Sequence, residues 1–305
     1  MKKIDFHVHA LDNDIGANEC IRYFEELSER NDLSGICIHA VECSSLLLHP
    51  DCNEKALAIS QHDSNWYAFA GLHHARDFVE QTKEYMDQGF RGIKLLEGKP
   101  SLYRYYGYTY DHPRFEPFFA YCEENQIPLM IHNNDPLRHW DINKISKANI
   151  AKGWFYDSSI PSQEHFFQVL EGVLAKHPDL RAAIAHFGFY SNNIPRADRL
   201  MEQCPNLRMD MTPAPIIFDE LSETPEQIKA FILKYSDRLL FGSDADVPLE
   251  GSIRELNERK MRMMKAFYEG SGETIIGSHR IQGMALDDTI LEKIYWNNAM
   301  TFMGI

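Results

Sequence analysis

The chain has 305 residues and a formal net charge of −14 at pH 7. It is long enough to bury a sizeable core without cross-links, and its acidity excludes a general nucleic-acid or anionic-membrane surface, which would need a basic patch. Its six cysteines (Cys20, Cys37, Cys43, Cys52, Cys122 and Cys204) contain no Cys-x-x-Cys pair, which predicts reduced, mostly buried thiols and a cytoplasmic location. No apolar stretch follows Lys2-Lys3 to suggest a signal peptide, and no run approaches the ~18 apolar residues of a membrane span.

Short apolar runs alternate with longer amphipathic ones. Ile4–Val8 is predicted as a strand and Asn18–Arg30 as a helix with Phe24 and Leu27 on one face. Strands follow at Gly35–Ala40, Trp66–Leu72, Phe90–Leu96 and Pro128–His132, with helices at Asn53–His62, Phe78–Gln88 and Arg114–Asn125 between them. Gly89 is a stop signal for the second of these helices. Ser162 is a candidate N-cap for a helix ending before Pro178. The remaining strands are expected at Arg181–Phe187, Asn206–Met211 and Arg238–Gly242, with helices at Ile194–Gln203, Pro225–Tyr235, Ile253–Glu269 and Asp288–Phe302. Eight strands, each followed by a helix, predict one (β/α)8 TIM barrel over residues 1–305. Two long loops, at 97–113 and 133–161, follow strands and so fall at the C-terminal face, where barrels of this kind bind small molecules. No Gly-x-Gly-x-x-Gly follows the first strand, which argues against a doubly wound dinucleotide-binding fold.

The predicted strand ends carry ionisable groups: His7 and His9, His39, His73 and His74, Lys94, His132, His186, Asp210 and Asp244. Side chains two apart on a strand share a face, so His7 and His9 can converge on one ion. Taken singly, each has a plainer explanation. His73 and His74 read as half-buried histidines with satisfied hydrogen bonds, His39 reads equally well either way, and Asp210 reads as a brace at the barrel mouth. Lys94 can neutralise nearby carboxylates. The case rests on the set, because a barrel focuses all its strand ends on one point.

The residues also match a known family. Asp5-Phe6-His7-Val8-His9, Gly89–Leu95 (Gly-Phe-Arg-Gly-Ile-Lys-Leu), Pro128–His132 (Pro-Leu-Met-Ile-His), Ala185-His186-Phe187-Gly188, Phe241-Gly242-Ser243-Asp244 and Ile294–Ala299 (Ile-Tyr-Trp-Asn-Asn-Ala) occur in order across almost the whole chain. Together they resemble the amidohydrolase superfamily of metal-dependent hydrolases, in the branch that contains amino-carboxymuconate semialdehyde decarboxylase and related lactonases. The resemblance implies metal ligation by His7, His9, His132 and Asp244, with His186 and Asp244 catalytic. It implies one divalent ion, zinc first, with manganese or iron as alternatives, and a second ion only if Lys94 is carboxylated. Unmodified, Lys94 is a substrate-side cation. In that pattern Asp244 takes a proton from a metal-activated water and passes it on, while His186 orients or polarises the scissile carbonyl.

Tyr103, Arg104 and Arg138 in the two long loops, with His39, are candidate substrate contacts, since arginine with aromatics suits a planar or carboxylate-bearing small molecule. The expected activity is hydrolysis of a small lactone, amide or similar bond. The alternatives are non-oxidative decarboxylation on the same scaffold and a non-catalytic metal-binding protein. The expected partner is a small-molecule substrate, and the composition is compatible with a homo-oligomer.

Overall fold

The computed structural model describes residues 1–11, 15–41, 52–248 and 251–305. Among these residues nine parallel strands form one curled sheet: β1 (Ile4–His9), β2 (Gly35–His39), β3 (Trp66–Gly71), β4 (Gly92–Gly98), β5 (Leu129–Asn133), β6 (Ala182–Ile184), β7 (Arg208–Asp210), β8 (Leu239–Leu240) and β9 (Ala245–Asp246). They lie in the order β8-β7-β6-β5-β4-β3-β2-β1-β9. The helices are α1 (Ala17–Asn31), α2 (Cys52–Ser60), α3 (Phe78–Gln88), α4 (Pro100–Tyr106), α5 (Glu116–Glu124), α6 (Lys147–Ala151), α7 (Gln163–Lys176), α8 (Ile194–Gln203), α9 (Pro215–Leu221), α10 (Pro225–Lys234), α11 (Gly251–Tyr268), α12 (Asp288–Glu292) and α13 (Asn298–Met303). None among the described residues is long and apolar enough to cross a membrane.

The two edges of the sheet belong to one stretch of chain. β8 pairs with β7, the chain then breaks at Gly242–Asp244, and β9 pairs with β1. Across the break, Phe6 N–H donates to the Phe241 carbonyl (2.9 Å) and Asp244 N–H to the His7 carbonyl (2.7 Å), so the sheet closes on itself as a TIM barrel. The expected eighth strand at 238–242 is thus shortened to β8, and a further short strand, β9, follows the break. Glycine is required at the break: a Cβ on Gly242 would lie 2.7 Å from the His7 Cβ and 2.9 Å from the Thr212 hydroxyl. Asp244 turns the chain back with a left-handed φ of 55°.

Opposite that break β1 carries a bulge, since Asp5 pairs with Ile36 but Val8 with Ile38, three residues spanning two. A bulge re-aims the side chains beyond it. Before it, Ile4 and Phe6 join an apolar cluster with Cys37, Phe69, Met130, Ala183, Leu240 and Phe302 of α13. After it, His7 and His9 point to the mouth. A larger apolar cluster lies between the strands and their helices.

Local signals hold where they were strongest. Gly89 ends α3 at φ 104° and Ser162 caps α7 by accepting from His165 N–H; the structure adds Asp77, which caps α3 by accepting from Glu80 N–H. The sequence reading did not anticipate α4, α6 and α9, the antiparallel hairpin β10 (Ser271–Ile276) and β11 (His279–Met284), or the π-helical turn Lys293–Asn297 that interrupts the last predicted helix. Cys20, Cys37, Cys52, Cys122 and Cys204 are buried and form no disulfide with one another, while Cys43 lies outside the described residues.

Candidate metal centre

His7, His9 and Asp244 meet at the mouth of the barrel, one ligand atom of each within 4.8 Å of the others. His7 Nδ1 lies 2.6 Å from Asp210 Oδ2, and His9 Nδ1 lies 2.7 Å from the His39 carbonyl oxygen. A carboxylate and a carbonyl only accept, so both Nδ1 atoms carry the proton and both Nε2 atoms present lone pairs. Those two Nε2 atoms are 3.0 Å apart, and Asp244 Oδ1 is 3.4 Å from the second. Three acceptors face one another with no proton between them. That arrangement asks for a cation, and two imidazoles with a carboxylate suit a divalent one.

The supports are buried. Asp210 accepts from His7, from the Thr212 N–H (2.5 Å) and from the Thr212 hydroxyl, which fixes the His7 tautomer. Asp5 accepts from the Ser243 N–H (2.8 Å) and hydroxyl (2.5 Å), clamping the break beside Asp244, and burial raises its carboxyl to about 6. Burial, aided by the neighbouring Lys94 charge, holds His7 well below its ordinary value. Burial also draws Asp244 upward, but the Lys260 charge prevails and holds it well below the carboxylate range. Lys260 Nζ, from α11, lies 3.0 Å from Asp244 Oδ2 and 2.6 Å from its carbonyl.

His132 and His186 line the same cavity but stand apart from the three. His132 Nε2 donates to the Asn134 carbonyl (3.0 Å) and lies 3.9 Å from Asp135. His186 begins a left-handed turn, with φ of 56°, 52°, 58° and 58° at His186, Phe187, Gly188 and Phe189. Left-handed backbone costs roughly 1–2 kcal/mol per non-glycine residue, and such outliers concentrate at functional sites. His186 Nδ1 points at the Thr212 carbonyl (3.4 Å), which leaves Nε2 as an acceptor. Burial lowers His186 to about 4 and His132 well below its ordinary value, so both are neutral at pH 7. The ring centroids run His9–His7 4.9 Å, His7–His186 5.5 Å and His186–His132 5.1 Å.

Lys94 Nζ is 3.1 Å from His7 Nε2, and burial lowers its ammonium to about 8. The cavity, about 430 Å³, is further walled by Leu11, Val41, Leu96, Leu102, Lys99, Lys152 and Trp154. Lys99 and Lys152 each sit 4.9 Å from the Trp154 ring.

Of the substrate candidates only Arg104 lines this cavity, and its guanidinium is bonded to the Gly153 and Phe155 carbonyls, pinning one long loop to the other. Tyr103 packs toward Phe166, and Arg138 is not among the lining residues. His39 is fully buried, donating from Nε2 to the Phe6 carbonyl at 2.6 Å. His74 is paired with Glu97 at 2.7 Å, a satisfied histidine as expected. Asp5, Thr212 and Lys260 were missed. Only Asp5 offered a signal, being a carboxylate inside an apolar strand.

Solved structures similar over nearly the whole chain include an uncharacterized TIM-barrel protein from Bordetella bronchiseptica, with 16% identity, TM-score 0.64 and complete coverage of both chains. A dihydroxybenzoic acid decarboxylase from Polaromonas sp. JS666, with bound manganese and the inhibitor 2-nitroresorcinol, is 14% identical with TM-score 0.57, covering 99% of this chain and 97% of that one. A dihydroorotase from Campylobacter jejuni is 14% identical with TM-score 0.56, covering 100% and 83% respectively. At such identities the likeness establishes the fold. No curated protein matches the chain. The family model described as amidohydrolase matches residues 45–305, and on that match the chain belongs to the amidohydrolase family.

Proposed function

We propose that the protein is a metal-dependent hydrolase acting on a small, carboxylate-bearing lactone, amide or similar substrate. The observation that carries this reading is the convergence of two imidazole lone pairs and a carboxylate oxygen with no proton among them. His7, His9 and Asp244 would hold the ion, with His132 joining once it releases the Asn134 carbonyl. A divalent ion there, zinc by the match of its donors, supplies Lewis acidity and an activated water at neutral pH.

The surrounding residues have separable tasks. Asp210 keeps the His7 lone pair on Nε2. His186, with Nδ1–H directed to Thr212, is placed to accept a proton or orient a hydroxyl through Nε2, rather than to polarise a carbonyl. Lys94 is a cation beside the ligands, suited to a developing oxyanion. Lys99 and Lys152, flanking the Trp154 indole, suit a planar carboxylate. A second ion requires Lys94 to be carboxylated.

The same site serves a non-oxidative decarboxylase, a reading supported by the structurally similar decarboxylase with bound manganese. Turnover in 18O-labelled water separates the two. A hydrolase places one labelled oxygen in its product, whereas a decarboxylase releases carbon dioxide from the substrate with no labelled oxygen in the organic product. Failure of metal addition to raise any rate across a lactone, amide and aromatic carboxylate panel would remove both.

A further inference from the structure

The face that α11 turns to the barrel is built from Met261, Met263, Met264, Phe267 and Tyr268, yet it also carries Asn257 and Lys260. These two are three residues apart and share one side of the helix. Both reach the broken strand. The Asn257 amide donates to the Asp246 carbonyl (2.8 Å) and contacts the Tyr23 hydroxyl (2.6 Å), while Lys260 Nζ donates to the Asp244 carbonyl and to Oδ2. The Lys260 side chain is only 9% exposed, whereas Asp244 keeps 29% of its side chain open to the cavity. Burying an ammonium is costly without partners; here both partners belong to one residue.

Lys260 therefore divides the Asp244 carboxylate. Oδ2 is tied to Nζ, and Oδ1 is the oxygen nearest the two imidazole Nε2 atoms, at 3.4 and 3.9 Å. The bond to the carbonyl also holds a residue whose backbone is left-handed and so favours relaxing away. We propose that Lys260 is a positioning residue for the metal centre: by fastening the main chain and one carboxylate oxygen of Asp244, it presents the other as a single-oxygen ligand to the ion held by His7 and His9. The proposal rests on the metal reading of the site. It makes a prediction opposite in sign to simple electrostatics, since removing an ammonium from beside a dication should by Coulomb's law tighten metal binding.

The test is the Zn2+ dissociation constant of wild type, Lys260→Met, Lys260→Gln and Asn257→Ala, measured by competition with a chromophoric chelator, together with the visible spectrum of the Co2+-loaded proteins. Lys260→Met is expected to weaken Zn2+ binding ~10–100-fold, the range for losing a group that orients a ligand, and to alter the Co2+ bands. Lys260→Gln, which keeps a donor without the charge, should fall between, and it decides the matter if the methionine variant is recovered unfolded. Asn257→Ala, which loosens the strand without touching the carboxylate, should stay within about twofold of wild type. Equal or tighter Zn2+ binding by the Lys260 variants with an unchanged Co2+ spectrum would overturn the proposal, as would an equal loss in Asn257→Ala. Tight wild-type binding with either result isolates the role of Lys260; a wild-type protein that takes up no metal overturns the metal reading and this proposal with it.

Discussion

The two histidines of β1 and the pair formed by His132 at the end of β5 and His186 just after β6 are alike in burial, but they are held by different things. His7 and His9 spend their Nδ1 protons on a carboxylate and a carbonyl behind them, so their lone pairs meet in front. His132 spends its Nε2 proton on the Asn134 carbonyl, and His186 sits on a left-handed turn with only a long contact to Thr212. The β1 side, closed by the bulge and by the broken strand at Gly242–Asp244, is a rigid half of a site. The β5–β6 side can change partners. A metal centre made this way is anchored from one half and completed from the other.

The largest effect that sharpens this contrast is expected at Asp210. Asp210→Asn keeps the shape but weakens the acceptor that fixes the His7 tautomer, and should lower metal affinity ~10–100-fold in a chelator competition; an unchanged affinity would mean that His7 is not oriented from behind. Acidification comes next. His186, lowered by burial from 6.5 to about 4, binds its proton more readily in the unfolded chain, so its contribution to stability is full above pH 6.5 and is lost as pH falls toward 4. Between pH 7 and 5 that is about 2 kcal/mol. His7, His39 and His132, also held low by burial, act in the same direction. Asp5, raised to about 6, acts in the other, regaining about 1 kcal/mol over the same interval. Metal-free protein should therefore melt at a lower temperature at pH 5 than at pH 7, by a few degrees on thermal denaturation; a rise would contradict the neutral, buried imidazoles. The smallest effect is expected for His132→Ala, which should weaken metal binding by no more than about tenfold, because its Nε2 is engaged elsewhere. A loss as large as that at Asp210 would place His132 in the rigid half.

Much of this was legible in the residues. Period-two and period-3.6 patterns located the parallel strands and the long helices, and Gly89 and Ser162 marked helix ends by chemistry that needs no tertiary context. The His-x-His pair and the strand-ending His132, His186 and Asp244 all reach one cavity. What escaped depends on contacts distant in sequence. Leu239–Asp244 reads as a buried strand that breaks at its glycine and ends in a carboxylate, but only the neighbours β7 and β1 on either side show that the chain resumes as a second short strand. Lys260 reads as one more lysine on an amphipathic helix, because nothing local reveals that it lies on the buried face of α11 and reaches Asp244. Arginine and tyrosine in the long loops read as substrate contacts, yet Arg104 binds loop carbonyls and Tyr103 packs on Phe166.

The central claim is that His7 and His9 hold one ion. Elemental analysis of purified protein tests it most directly, with wild type beside the His7→Ala/His9→Ala double variant. The account predicts about one equivalent of divalent metal in the wild type and none above background in a double variant that retains its far-ultraviolet circular dichroism. Metal absent from both, or present equally in both, would contradict it.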